Sequence, residues 1–428
     1  MLSIFIYICA IIDYKTTVLI YIRKCINMVL KKYTTQDISF WRITISLALA
    51  SFFVFASLYA VQPLLPLFVR EFNVTVSEAT LTLSLPVIGL IIGLIVIGFL
   101  SDRLGRVAFI KYSLIIAVIP FFFIPLLDAF SLIVILRFLQ GFTLAGLPAA
   151  ALAYINEEID RPHIGVATAL YIASNALGGM VGRVMAGYLS DRFSWEVAFY
   201  SFAGLGLIVV ILVFLFLPKS RFFQPSDLSF RRDIEGMLVH FKNPKLLTVI
   251  GMGLILQLAF TSVWTFLPFH LEAEPYSLSV KTISYTFFAY GFGVFGAPFA
   301  GWLAGIFGLK RVRIAGILVL SAGIFITLSP PLPLIIIGLC VMCLGFFTAH
   351  SLTASTVAEQ ATHHKGSAAS LYLVAYYIGV SMGSTVVGPL WNLAGWNAVI
   401  IFAGILPTAY LGLVMIYQKR AENRSMEG

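Results

Sequence analysis

Gly98-Phe99-Leu100-Ser101-Asp102-Arg103-Leu104-Gly105-Arg106 is a short charged loop wedged between two long apolar runs. A worn copy recurs far downstream as Gly301-Trp302-Leu303-Ala304-Gly305-Ile306-Phe307-Gly308, followed by Leu309, Lys310 and Arg311. The same hinge thus follows an apolar run twice in one chain. Such a pattern belongs to a duplicated bundle of membrane helices.

The composition agrees. With 60% apolar and only 11% charged residues, the chain lies outside the range of ordinary soluble domains. Crossing the hydrocarbon core takes about 20 mainly apolar residues, and in lipid a span must satisfy its own backbone hydrogen bonds, so spans this apolar are helices. Twelve are predicted, at 43–69, 79–100, 107–127, 130–155, 165–188, 196–217, 247–269, 281–305, 312–328, 333–358, 367–389 and 397–418. The fold class is therefore an all-α membrane protein of twelve transmembrane helices in two six-helix pseudo-symmetric halves. An even number of spans puts both termini on one side. The great majority of the 28 Lys and Arg residues fall in the terminal segments and the loops of that same side, which makes it cytoplasmic by the positive-inside rule. The expected location is the cytoplasmic (inner) membrane. This bias also accounts for the net charge of +9, so no nucleic-acid partner is inferred.

The segments read as a cytoplasmic N-terminal stretch 1–42, a six-helix half 43–217, a basic cytoplasmic linker 218–246, a second six-helix half 247–418 and a tail 419–428. Residues 1–27 read as an over-long start ahead of Met28, with an interfacial anchor helix as the alternative. Within the linker, Phe230 to Phe241 could form an amphipathic surface helix. Cys340-x-x-Cys343 lies inside an apolar helix with no second pair of ligands, so both are read as packing residues rather than metal or redox groups. Neither cofactor nor metal is expected. The sequence holds no HExxH, no nucleophile elbow and no phosphate-binding glycine loop, which argues against a membrane enzyme and against direct drive by ATP. A sensor or scaffold would need a large soluble output domain, and none is read.

The halves repeat one another. A shift of 201 residues aligns Glu158 with Glu359, Gly165 with Gly366, Gly178 with Gly379, Gly182 with Gly383, Gly187 with Gly388 and Trp195 with Trp396. Parallel repeats about an axis along the membrane normal are a known transporter plan. From about residue 40 onward the chain resembles the major facilitator superfamily. Gly98, Leu100, Asp102, Arg103, Gly105 and Arg106 match that family's loop between helices two and three. Arg137-x-x-Gln140-Gly141 looks like its fourth-helix motif, shared with drug:proton antiporters. Tyr59-Ala-Val-Gln62-Pro63, Gly178-Gly179-Met180-Val181-Gly182-Arg183, Ala349-His350-Ser351 and Ser370-Leu-Tyr372-Leu are similar to a YnfM-like branch of bacterial inner-membrane permeases. The resemblance implies a monomer in membrane lipid that moves a small-molecule substrate by alternating access, with proton-coupled efflux the leading expectation. Uptake of an organic anion or metabolite is the alternative.

Candidate site residues form two sets. Gly98, Asp102, Arg103, Gly105, Arg106 and Glu158 are the expected gate. Gly98 and Gly105 would permit close approach, Asp102 would face a helix N-terminus, and Arg103 and Arg106 would pair with Glu157 and Glu158. Gly305 and Ile306 replace the aspartate and first arginine in the second copy, so the latch is expected on one half only. The substrate or coupling set is Gln62, Arg137, Gln140, Arg183, Gln257 and His350. An arginine at mid-helix costs about 2.5–3.5 kcal/mol on insertion scales, so Arg137 and Arg183 should face a cavity or a polar partner, or Arg183 should snorkel to the interface. Family analogy puts helices one, four, seven and ten around the cavity, hence Gln62, Gln140, Gln257 and His350. No Asp or Glu occupies the middle of a predicted span. That absence leaves the proton carrier unassigned, with His350 the group that titrates near neutrality. It favours a carboxylate-bearing cargo, while the apolar lining suits amphipathic drugs equally well.

Overall fold

A computed structural model describes residues 31–226, 235–361 and 365–427. Six helices build the first half: α1 (Ile38–Phe72), α2 (Val76–Leu104), α3 (Arg106–Leu126), α4 (Phe130–Glu158), α5 (Arg161–Arg192) and α6 (Trp195–Phe216). The second half has α7 (Pro244–Glu272), α8 (Val280–Phe307), α9 (Leu309–Ile326), α10 (Leu332–Gln360), α11 (Lys365–Thr385) and α12 (Gly388–Glu427). Ten of these are long and apolar enough to cross a membrane. The other two, α9 and α11, bring the long helices among the described residues to twelve, ten of which meet the length and hydropathy of the expected spans. Residues 1–30 and 230–234 lie outside the described residues, and with them the expected anchor helix and the first part of the expected linker helix. Residues 235–238 are helical and run into a short turn at Val239–Lys242.

Local signals set the boundaries. Thr75 and Glu78 form a reciprocal capping box at the start of α2, the Thr75 hydroxyl accepting from the Glu78 N–H and the Glu78 carboxylate from the Thr75 N–H, which satisfies donors that a helix start leaves open. Gly105, at φ +115°, turns the chain from α2 into α3, and Gly308, at φ +87°, does the same from α8 into α9. Only glycine enters that region without strain. The worn copy of the loop thus keeps the turn while losing the charges. Proline breaks appear inside the spans: Pro63 starts a 3-10 turn that interrupts α1, and Pro86 lies within α2.

Pairing within one half is repeated in the other. α1 packs on α5 as α7 packs on α11, α2 on α4 as α8 on α10, and α3 on α6 as α9 on α12. Small residues permit the closest of these contacts. A Cβ on Gly178 would stand 2.2 Å from the Phe52 carbonyl oxygen, and one on Gly182 2.5 Å from Ala56 Cα. Their repeats Gly379 and Gly383 meet the carbonyls of Leu254 at 2.4 Å and Leu258 at 2.5 Å.

The halves touch one another through α2 with α11 and α5 with α8. The tightest of those contacts fall at the face away from Asp37. There a Cβ on Gly187 would lie 2.3 Å from Ser284 Cβ, and one on Gly388 2.6 Å from Ser77 Oγ. Arg70 and Glu272 add an ion pair of 2.5 Å between the ends of α1 and α7. At the opposite face, which bears the ends of α4 and α12, a cavity of about 410 Å³ separates Leu94 and Asp102 of α2 and Pro148 of α4 from Gly366 and Ser370 of α11. Gly182→Leu should therefore lower thermal stability in detergent, since overpacking a close contact costs about 1–3 kcal/mol. Gly204→Leu, where a Cβ meets nothing within 4 Å, should leave the unfolding midpoint unchanged.

Candidate functional site

Two buried arginines approach α1 about one turn apart, and their surroundings differ in kind. Arg137, on α4, has no exposed surface. Its Nε donates to the Thr82 carbonyl at 3.2 Å, Nη1 to the Ser57 carbonyl at 3.1 Å and to Gln140 Oε1, and Nη2 to the Leu58 carbonyl at 2.9 Å. Those carbonyls need a donor for a reason. Thr82 lies four residues before Pro86, which has no N–H to give it, and Ser57 and Leu58 sit in the last turn of α1 before its break. Gly141, one turn beyond Arg137, lets α4 come close enough to reach: a Cβ there would stand 1.8 Å from the Pro86 carbonyl oxygen. Gln140 Nε2 in turn donates to the Ala117 carbonyl at 2.9 Å, on the turn before Pro120. The motif Arg137-x-x-Gln140-Gly141 therefore ties α1, α2, α3 and α4 together.

Arg183, on α5, is 3% exposed and does not snorkel. Nε donates to Gln62 Oε1 and Nη1 to the Gly179 carbonyl, both at 2.6 Å. Three rings complete its surroundings. Its guanidinium carbon lies 4.3 Å from the Tyr59 ring centre, 4.8 Å from that of Tyr290 and 5.2 Å from that of Phe287. Cation–π attraction of this kind is strongest when desolvated. Tyr59 and Gln62 come from α1, whereas Phe287 and Tyr290 come from α8, so Arg183 stands at the junction of the halves. Gln62 Nε2 also reaches Thr265 Oγ1 of α7 at 3.4 Å.

The rings continue into the second half. Trp264 stacks on Phe287 at 4.8 Å and touches Tyr290 at 4.8 Å, Tyr290 meets Phe260 at 5.4 Å, and Phe260 stacks on Phe346 at 3.9 Å. Phe346 lies parallel to His350 at 5.6 Å, and the Tyr372 hydroxyl sits 2.7 Å from His350 Nδ1. Gln257 donates through Nε2 to Thr261 Oγ1 at 3.1 Å, while its buried Oε1 accepts from nothing among the described residues. Of the six expected substrate or coupling residues, the structure joins Gln62 to Arg183 and Arg137 to Gln140. His350 connects to the first pair through the chain of rings.

The charged loop departs from expectation in detail. Arg106 bridges Asp102 and Glu157, the latter at 2.5 Å. Glu158 does not pair with Arg103 or Arg106, against the sequence expectation. Instead its wholly buried carboxylate accepts from Ser220 Oγ at 2.9 Å, Arg221 Nε at 3.2 Å, the Phe222 N–H at 3.0 Å and the Arg221 N–H. The Arg221 guanidinium lies over the Tyr33 ring at 3.5 Å, and Tyr33 N–H donates to the Glu158 carbonyl at 2.9 Å. Glu158 thus fastens the segment before α1 and the linker to the end of α4. Arg221 and Ser220 escape sequence reading because nothing sets them apart in a basic linker. Arg103 donates to the Phe99 carbonyl at 2.8 Å and lies over the Phe99 ring. Gly98 does not mark a tight contact, since a Cβ would meet only Ala149 at 3.9 Å; Gly105 is needed for its dihedral angle alone.

The carbonyls around Arg137 invite a double-mutant test. Arg137→Leu should destabilise the fold by about 1–3 kcal/mol, the cost of stranding buried polar groups. Combined with Pro86→Ala, which returns an N–H to the Thr82 carbonyl, the loss should be smaller than the sum of the single losses. Strict additivity in thermal or denaturant unfolding would show that the arginine does not serve that carbonyl.

Comparison with known proteins agrees with this geometry. The family model described as Major Facilitator Superfamily matches residues 47–279 and 249–426. The chain is 34% identical to the "Uncharacterized MFS-type transporter YybF" of Bacillus subtilis, over 84% of this chain and 89% of that protein. It is 32% identical to the "Inner membrane transport protein YnfM" of Escherichia coli, over 89% and 90% of the two. Among solved structures, a bacterial homologue of the human lysosomal transporter Spinster, in an inward-facing and unoccupied conformation, superposes with a TM-score of 0.73 at 15% identity, covering 88% of this chain and 95% of that one. A chain with this duplicated helical plan, this loop and these relatives belongs to the major facilitator superfamily of membrane transport proteins.

Proposed function

We propose that the protein is a secondary active transporter that exports a small organic solute across the cytoplasmic membrane by alternating access, in exchange for protons. The supporting observation is the uneven contact between its halves. They close at one face through Gly187 on Ser284, Gly388 on Ser77 and the Arg70–Glu272 pair, and stand apart at the other around a cavity of about 410 Å³. The crowding of Lys and Arg on that side supports a cytoplasmic position for the open face. Each half is held internally by backbone-close packing, so rocking about the Arg183 level leaves the internal contacts intact.

In the alternate state the start of α11 closes on the charged loop. Gly366, Ser367 and Ser370 already line the cavity across from Asp102, and a helix N-terminus attracts a carboxylate. Arg106, bound to Asp102 and Glu157, positions that carboxylate. Leu309 stands where the repeat would need the arginine, so the second half has no matching latch. Protons are assigned to His350, whose imidazole Nδ1 faces the Tyr372 hydroxyl. Export follows the likeness of Arg137-x-x-Gln140-Gly141 to the antiporter motif. Uptake of an organic anion is the second reading, favoured by an arginine at the junction of the halves that no carboxylate pairs with among the described residues.

Spin labels at Glu71 and Glu274, both exposed at the closed face, would report the rocking in a background with the 4 cysteines replaced. In nanodiscs a second, longer distance should grow as the pH is lowered. His350→Gln should remove that pH response, and Asp102→Asn should alter the ratio of the two distances. One unchanging distance under every condition would overturn alternating access, and a pH response surviving in His350→Gln would move the proton elsewhere.

A further inference from the structure

We propose that the transported solute is a small aromatic carboxylate, seated between Arg183 and the ring cluster of the second half; this rests on the transporter reading and names its cargo. The two buried arginines differ in what they leave unused. All three nitrogens of Arg137 donate to backbone carbonyls or to Gln140. Arg183 spends Nε on Gln62 and Nη1 on Gly179, and its Nη2 donates to nothing among the described residues, although the side chain is only 3% exposed. No carboxylate among the described residues neutralises it. A desolvated guanidinium with a free edge offers the fork geometry that a carboxylate matches.

A second unused donor belongs to the same cluster. The Trp264 indole N–H is buried without an acceptor among the described residues, and its ring shares Phe287 and Tyr290 with the guanidinium. Two orphan donors around one pair of rings call for an acceptor, and an anionic one beside Arg183. A cation placed there would meet an uncompensated positive charge. The body of the solute is set by what flanks this point: Tyr59, Tyr290 and Phe260, all aromatic, with Phe346 beyond. Flat rings favour offset stacking and edge contacts with another flat ring. Further along α7, two turns or roughly 10 Å below Trp264, Gln257 Oε1 is a buried acceptor with no donor among the described residues. A ring carrying a carboxylate at one end and a hydroxyl at the other complements all three orphans, its hydroxyl donating to Gln257.

The test uses 4-hydroxybenzoate as probe, with 4-hydroxybenzamide and 4-hydroxycyclohexanecarboxylate as controls, on full-length protein in nanodiscs. Binding is read by thermal shift and by quenching of tryptophan fluorescence. 4-Hydroxybenzoate should bind, and removing its charge or its aromaticity should each weaken binding by about tenfold or more, the scale of a single charge-assisted hydrogen bond. Arg183→Gln should abolish the preference for the acid over the amide, and Arg183→Lys should restore part of it. Gln257→Leu should erase the advantage of 4-hydroxybenzoate over benzoate. Equal binding of acid and amide, binding unaffected in both Arg183 variants, or no binding of the acid to protein whose labelled pair still shows two distances would overturn the cargo assignment and leave the transporter reading standing. A labelled pair frozen at one distance would remove the transporter reading first, and this assignment with it.

Discussion

Proline inside a membrane helix removes a donor where no water can replace it, and much of the first half is arranged around that deficit. Pro86 strips the Thr82 carbonyl of its intrahelical partner and Pro63 ends the regular part of α1, so helix-end carbonyls at Ser57 and Leu58 lie open in the bundle. Freed backbone groups in lipid must be satisfied from a neighbouring helix. Arg137 supplies the donors, and the carbonyls in turn supply the polar surroundings without which a buried guanidinium would be intolerable. Gly141 follows from the same need, because the arginine reaches Thr82 only if α4 lies against the proline turn of α2. Bent helices, arginine, glutamine and glycine are thus one solution, and each part is stable only in the presence of the others.

Span positions, the number of long helices and the duplication are legible in the sequence because hydropathy and glycine spacing are local or periodic features. The repeat of Gly178 and Gly182 at Gly379 and Gly383 even marks which contacts are closest. The partners of charged groups are less legible. Glu157 and Glu158 are adjacent on α4, yet one joins Arg106 and the other joins Arg221 in the linker. Neighbours in a helix point about 100° apart, and only the path of the linker decides which meets which arginine. Likewise nothing in their spacing separates Arg137, with every nitrogen occupied, from Arg183, whose Nη2 donates to nothing among the described residues. That difference arises where α8 delivers Phe287 and Tyr290 from the other half.

The ring-lined junction also constrains motion. Among the described residues, Arg183 is fixed to its own half through Gly179 and Gln62, and to the other half only by ring faces and by the long hydrogen bond between Gln62 and Thr265. Ring faces tolerate sliding far better than hydrogen bonds tolerate bending. A charge held rigidly on one side and softly on the other suits a junction that must stay closed to water while the halves tilt. Firm contacts such as Gly187 on Ser284 are placed at the periphery, where separating them opens a path.

An unpaired positive charge at the centre of such a junction is selective even before shape is considered. At 5 Å and an effective dielectric near 20, two like charges repel by about 3 kcal/mol, and opposite charges attract by the same amount. The difference between a monocation and a monoanion at that point is therefore about 6 kcal/mol, roughly four powers of ten in affinity. Ring faces recover only part of this for a cation, because cation–π attraction reaches about 2 kcal/mol in desolvated sites and the nearest rings already serve Arg183. No Asp or Glu occupies the middle of a predicted span, so the sequence offers no carboxylate to balance a cation at the level of Arg183. Charge balance at Arg183 thus points the same way as the orphan N–H of Trp264 beside it.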